Sequence, residues 1–274
     1  MKKSVVIYLA VAFLWTWICW IGAFILADFW GFVLDTGSSI FNLFSLTKQS
    51  NVLMVQLLFA LAVYGPILGY FIAGGQKQPK CKKNSTSKFW ILALCIPIIM
   101  MVPALIFSLL FGKFNAEATS FWSIFISVVL YAISNFITSG TEEFGWRGFL
   151  YPYLKSTSKN FQSAAWIGGF IWALWHYPLM IMMYRSLGIS VMIPYLIGFT
   201  AGIVAMSYIS NYIYEKSGSL IMVMTLHALN NTMSFLMLLL FPKTPFAIIS
   251  SLMSWAVVWY LDKKDPLNFT LHAD

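Results

Sequence analysis

Charged residues are scarce in this chain: Asp, Glu, Lys and Arg together make up 9% of its 274 residues. A soluble domain carries close to a quarter charged residues, so a water-soluble globular fold is excluded. Hydrophobic residues account for 60% of the chain. Several uninterrupted apolar runs approach or exceed the ~18 residues that indicate a membrane helix. The composition predicts an all-α, polytopic transmembrane bundle that forms a single integral membrane domain over residues 1–274.

Cysteines and nucleotide-binding motifs are equally sparse. The three cysteines, Cys19, Cys81 and Cys95, form no CxxC spacing, which argues against a disulfide framework or a thiolate metal site. The sequence contains no GxGxxG motif, no P-loop and no internal repeat, so nucleotide binding has no support.

Acidic residues are fewer than basic ones, and the formal net charge is +8. Most Lys and Arg fall in short loops, where they set membrane topology, so the excess does not predict nucleic-acid binding. With the N-terminus inside, the predicted outer segments hold only Lys48, Lys113, Arg185 and Lys243. This asymmetry predicts a multi-pass cell-membrane protein with both termini in the cytoplasm.

The apolar runs predict eight spans. The first run continues to about Phe29 without a small-residue cleavage site, which favours a retained span over a signal peptide. Seven spans are the alternative, if the last, proline-interrupted segment does not cross. The predicted spans are residues 4–28, 52–74, 89–111, 121–149, 162–183, 190–213, 219–241 and 245–261.

Three of these spans carry polar side chains that composition does not explain. Ionisable groups inside a membrane are costly, which makes them candidates for a functional site. The fourth span holds Glu142, Glu143 and Arg147, the fifth holds His176, and the seventh holds His227 and Asn231.

Helical spacing assigns different tasks to the two adjacent glutamates. Glu143 and Arg147 are four residues apart and are predicted to pair along the helix surface. Glu142 is rotated about 100° from Glu143, lacks that partner and is a candidate general base. His227 and Asn231 share one helix face, from which both could hold a developing oxyanion.

Each of these residues also has an ordinary structural explanation. A Glu–Arg pair often closes a helix end, an intramembrane His often packs between helices, and an Asn often joins helices by a hydrogen bond. Their coincidence on three spans favours a site over three unrelated contacts.

The three motifs resemble those of a known family. Glu-Glu-x-x-x-Arg, aromatic-x-x-x-His and His-x-x-x-Asn follow one another over about residues 120–235, as in the CPBP intramembrane proteases. That family comprises the type II CAAX prenyl proteases and the Abi-like, bacteriocin-processing endopeptidases.

The resemblance implies an intramembrane peptidase. The depths of Glu142, His176 and His227 along their helices, at ~1.5 Å per residue, predict a cavity open toward the cytoplasmic side. The resemblance assigns Glu142 to activation of a water with help from His176, and His227 and Asn231 to the oxyanion. Glu143 and Arg147 match the rest of the first motif as support. Trp172 stands where the family usually has Phe, and a bulky aromatic is kept.

The cofactor stays open at this level. A zinc ion held by Glu142, His176 and His227 is one alternative. A metal-free water activated by glutamate is the other, and it is favoured because the chain has no His-Glu-x-x-His motif.

The expected partners are the lipid bilayer and a membrane-associated peptide or protein. The chain looks bacterial, where prenylated CAAX proteins are not expected, so a pheromone, a bacteriocin leader or a membrane-protein signal is favoured. One rival is a catalytically silent scaffold or immunity protein. Another is a proton-coupled transporter, against which the missing inverted repeat argues.

Overall fold

The computed structural model describes residues 2–37, 39–46, 48–75, 86–115, 120–242 and 246–267. All regular structure in these ranges is helical, which confirms the predicted all-α bundle. The α-helices are α1 (Lys3–Trp30), α2 (Ser50–Leu61), α3 (Gly65–Ile72), α4 (Thr86–Phe111), α5 (Phe121–Ile137), α6 (Glu142–Gly145), α7 (Tyr151–Thr157), α8 (Phe161–Tyr184), α9 (Ile189–Ser217), α10 (Leu220–Leu240) and α11 (Phe246–Lys264).

Seven helical segments in the described part of the chain are long and apolar enough to span a membrane. They correspond to the first seven predicted spans. The eighth predicted span forms α11, a 19-residue helix, but α11 is not among those seven segments. The multi-pass membrane character is therefore confirmed, while the crossing of α11 stays a prediction.

Contacts between α9 and α11 show that these two helices run in the same direction. A Cβ on Gly202 would lie 3.3 Å from the Ser251 hydroxyl. Near the C-terminal ends of the two helices, Lys216 Nζ donates to Asp265 at 2.6 Å. Fourteen residues therefore separate the two contacts on both helices, so α11 accompanies α9 through about half of its length.

The predicted fourth span is not one continuous helix. α5 ends at Ile137, and the next residue, Thr138, leaves the helical region with a φ of −102° and a ψ of −91°. A 3₁₀ turn at Ser139–Thr141, the four-residue α6 and a π-helix at Trp146–Leu150 then lead into α7. The hydroxyls of Thr138 and Thr141 donate to backbone carbonyls within this stretch. Both hydroxyls thus bind the local backbone where the helix breaks.

α1 anchors the centre of the bundle from outside the motif-bearing segment. Trp175 Nε1 on α8 donates to the Ala12 carbonyl, and Trp17 Nε1 on α1 donates to the Trp175 carbonyl, both at 3.0 Å. Thr16 Oγ1 donates to the Ala62 carbonyl at 2.6 Å, at the junction of α2 and α3. These buried bonds fix the helices that surround the candidate site.

Candidate active site

Glu142 is a buried carboxylate held by two indoles. Its Oε2 accepts hydrogen bonds from Trp146 Nε1 and Trp172 Nε1, both at 3.2 Å, and the residue is 3% exposed. Within the described residues, Glu142 forms no ion pair and its Oε1 accepts no hydrogen bond. The free oxygen is the atom that could take a proton from a water molecule.

The adjacent Glu143 lies in a fully buried ion-pair network. Arg147 Nη1 lies 2.9 Å from Glu143 Oε2 and 3.1 Å from its Oε1, which confirms the predicted pairing. His227 Nδ1 lies 2.8 Å from Glu143 Oε1. A carboxylate can only accept at that contact, so Nδ1 of His227 carries the proton and Nε2 points elsewhere.

Arg147 is restrained on two further sides. Its Nε donates to Asn211 Oδ1 on α9 at 3.2 Å, and its guanidinium carbon lies 4.6 Å from the centre of the Trp172 ring. The side chain is 1% exposed. Breaking such a buried pair is costly, because the charge that remains is left uncompensated.

His176 is fixed by its own helix and by aromatic rings. Its Nδ1 lies 3.0 Å from the Trp172 carbonyl oxygen, which only accepts, so Nδ1 is the protonated nitrogen. The neutral ring therefore presents an unprotonated Nε2. The rings of Trp20, Trp175 and Phe199 contact the imidazole at centroid distances of 6.0, 4.6 and 5.4 Å.

Trp172 connects the members of the site. Its indole donates to Glu142, and its carbonyl accepts from His176. Its ring lies edge-on to His227 at 5.1 Å. In the described structure Glu142 and His176 share no direct hydrogen bond, so Trp172 is the link between the predicted base and its partner. A Phe at this position could keep the ring contacts but could not donate to Glu142.

Asn231 points toward a different partner from His227. Its Nδ2 donates to Asn135 Oδ1 on α5 at 3.3 Å. Asn135 in turn donates from Nδ2 to the Tyr131 carbonyl at 2.9 Å. An amide group has two N–H donors, so one donor of Asn231 remains for a substrate oxygen.

Gly145 allows a neighbouring helix to approach closely. A Cβ there would lie 2.6 Å from the Pro66 carbonyl oxygen and 2.6 Å from the Tyr8 hydroxyl. α3 therefore packs directly on the turn that carries the two glutamates. The π-helix that follows is a feature frequently found at functional sites.

The proposed zinc ligands do not fit a three-ligand site. Among the described residues, no group of three or more His, Cys, Asp or Glu side chains could hold a metal ion. Glu142, His176 and His227 therefore do not form such a group.

Sequence reasoning missed three residues that shape the site. Trp146 is four residues after Glu142, so helical spacing alone could have indicated the contact. Asn211 and Asn135 lie on other helices, and nothing in the sequence connects Asn211 with Arg147 or Asn135 with Asn231.

Comparison with known proteins agrees with the resemblance that the motifs indicate. Residues 121–233 match the model of the type II CAAX prenyl endopeptidase Rce1-like family. This segment of the chain is therefore similar to that family. All the candidate catalytic residues fall within the matched segment, whereas α1, α3 and α11 lie outside it.

One curated protein is similar to half of the chain. The CAAX prenyl protease 2 of Methanococcus maripaludis is 26% identical over 151 residues, which cover 50% of this chain and 54% of the relative. The chain thus spans about half the length of this relative.

Proposed function

We propose that the protein is an intramembrane endopeptidase that hydrolyses a peptide bond of a membrane-associated peptide or protein. The observation that carries the proposal is the division of labour between two adjacent glutamates. Both carboxylate oxygens of Glu143 contact Arg147, and one also contacts His227. Glu142 keeps one carboxylate oxygen without a hydrogen bond in the described structure. A transporter or scaffold has no need for a base positioned in this way.

The proposed reaction begins with a water bound at Glu142 Oε1. The carboxylate takes one proton from the water, and the hydroxide oxygen forms a bond to the substrate carbonyl carbon. His176 Nε2, which bears a lone pair, accepts a hydrogen bond from the same water and orients it. This role requires the Nδ1–H contact with the Trp172 carbonyl, because that contact sets the tautomer.

The carbonyl oxygen becomes an oxyanion as the new bond forms. When the His227 ring carries a proton on both nitrogens, Nδ1 donates to Glu143 and Nε2 donates to the oxyanion. The second N–H of Asn231 donates to the same oxygen. Glu143 supports this step because its carboxylate compensates the positive charge on the imidazole. The intermediate then collapses, the C–N bond breaks, and the proton on Glu142 passes to the leaving amine.

The test is a cleavage assay in proteoliposomes on a library of peptides anchored in the bilayer, with products identified by mass spectrometry. We expect products from the wild type and none from Glu142→Gln or Asn231→Ala. Glu215→Gln is the matched control, because Glu215 pairs with Lys155 away from the site. Products that persist in Glu142→Gln would overturn the proposed mechanism.

The same cleavage assay with a metal chelator tests whether the reaction needs a metal ion. We expect cleavage to survive a tight chelator, because the glutamate and histidines do not form a three-ligand group. Loss of cleavage under chelation, restored by added zinc, would show that the ligands rearrange around an ion.

A further inference from the structure

A cavity of about 120 Å³ lies next to the candidate active site, on the side away from the start of α1. Its walls come from the connection after α1, from α2 and from the end of α5. Ser139, which begins the turn leading to Glu142, is part of the wall, and so is Asn135, the hydrogen-bond partner of Asn231. Asn135 therefore joins the cavity wall to Asn231, the candidate oxyanion donor.

The connection after α1 is tied into the bundle at this point. Its 3₁₀ helix, Ile40–Leu46, begins with a backbone N–H that donates to Ser134 Oγ at 3.1 Å. Ser39 is 8% exposed and Gln56 is 4% exposed, and both line the cavity. The wall is thus built from buried polar groups that belong to three separate elements.

The lining has a distinct chemistry. None of the lining residues is Asp, Glu, Lys, Arg or His, whereas hydroxyl and amide groups alternate with apolar ones such as Phe59 and Ala60. A cavity of about 150 Å³ in another protein holds a benzene-sized group, so this one matches a single medium-sized side chain. An ionised side chain would find no counter-charge among these residues.

We propose that this cavity is a specificity pocket that receives one uncharged, medium-sized side chain of the substrate next to the cleaved bond. The proposal rests on the proposed peptidase function and adds the substrate class. A peptide seated there would present its carbonyl to Asn231, because Asn135 joins the pocket wall to that residue.

The test uses the anchored peptide library with every residue type at each randomised position. Ala60→Trp puts a large ring into the cavity, and Ala60→Leu is a milder filler if the first variant fails to fold. We expect the preference at one substrate position to shift to Gly or Ala, with at least a tenfold higher KM for bulkier residues. Ala10→Trp is the control, because Ala10 is exposed on α1.

A second variant changes the charge of the pocket at nearly constant shape. Gln56→Glu should make the same substrate position accept Lys or Arg, which the wild type disfavours. If the wild type, Ala60→Trp and Gln56→Glu show the same residue preference at every substrate position, the proposal of a specificity pocket is wrong.

Binding distinguishes failure of the pocket from failure of the proposed reaction. The peptides retained by Glu142→Gln are identified by mass spectrometry, with and without Ala60→Trp. If the wild type cleaves nothing but the retained pool changes with Ala60→Trp, the reaction is wrong and the pocket stands. If neither cleavage nor retention responds to Ala60→Trp, the pocket is wrong.

Discussion

At the scale of single residues, helical spacing predicted the difference between Glu142 and Glu143. The i,i+4 relation to Arg147 was sufficient, because it concerns one helix only. The same spacing placed His227 and Asn231 on one face but could not name their partners. Glu143 and Asn135 come from other helices, and contacts between helices depend on packing that a single sequence does not encode locally.

Trp172 is the residue whose importance was underestimated at the sequence level. The sequence indicates only that a bulky aromatic is kept there, whereas the structure shows that its indole N–H donates to Glu142 at 3.2 Å. A hydrogen bond to a charged group contributes roughly 1.5–3 kcal/mol.

We predict that Trp172→Phe lowers the kcat for peptide cleavage about tenfold with little change in KM, because one of the two bonds that orient Glu142 is lost. Trp166→Phe on the same helix is the control, since Trp166 is half exposed. Steady-state kinetics on one library-derived substrate is the measurement. An unchanged kcat in Trp172→Phe would show that Trp146 alone orients the carboxylate.

At the scale of helices, the sequence located the spans but not their internal geometry. Length and hydropathy predict a crossing, whereas neither predicts the break after Ile137, where Thr138 Oγ1 donates to the Ser134 carbonyl. The close packing of α8 on α9 is another such feature. A Cβ on Gly169 would lie 2.7 Å from Val204 Cα and 2.9 Å from Ser207 Cβ.

We therefore predict that Gly169→Ala destabilises the protein by about 1–3 kcal/mol, because the two helices would have to separate. Gly198→Ala is the matched control: apart from the neighbouring backbone of its own helix, no atom lies within 4 Å of its Cβ position, and Ala is the better helix former. Thermal unfolding followed by tryptophan fluorescence should show a lower Tm for the first variant only. An equal drop in both variants would contradict the packing argument.

At the scale of the whole molecule, the ends of the helices fall into two groups. Gln162 near the start of α8 and Tyr208 on α9 both donate to Asp262 near the end of α11. At the other end, Arg185 after α8 pairs with Asp28 near the end of α1. This arrangement favours eight crossings with the N-terminus and the end of α11 on one side.

We predict that reporters fused before residue 2 and after residue 267 lie on the same side, and that a reporter at Pro242 lies on the opposite side. The basic residues of the loops predict that the shared side is the cytoplasm. Paired fluorescent-protein and phosphatase fusions would measure this. A phosphatase-active fusion after residue 267 together with a cytoplasmic N-terminus would mean that α11 does not cross.

The central claim is that two neighbouring carboxylates have separate tasks, and one comparison tests it most directly. Glu142→Gln and Glu143→Gln are measured side by side for peptide cleavage and for Tm. We predict that Glu142→Gln keeps the wild-type Tm within a few degrees and lowers cleavage by about 10²–10⁴-fold, as expected for loss of a general base. Glu143→Gln should lower the Tm clearly, because Arg147 is left buried without its counter-charge. Normal cleavage by Glu142→Gln would contradict the account.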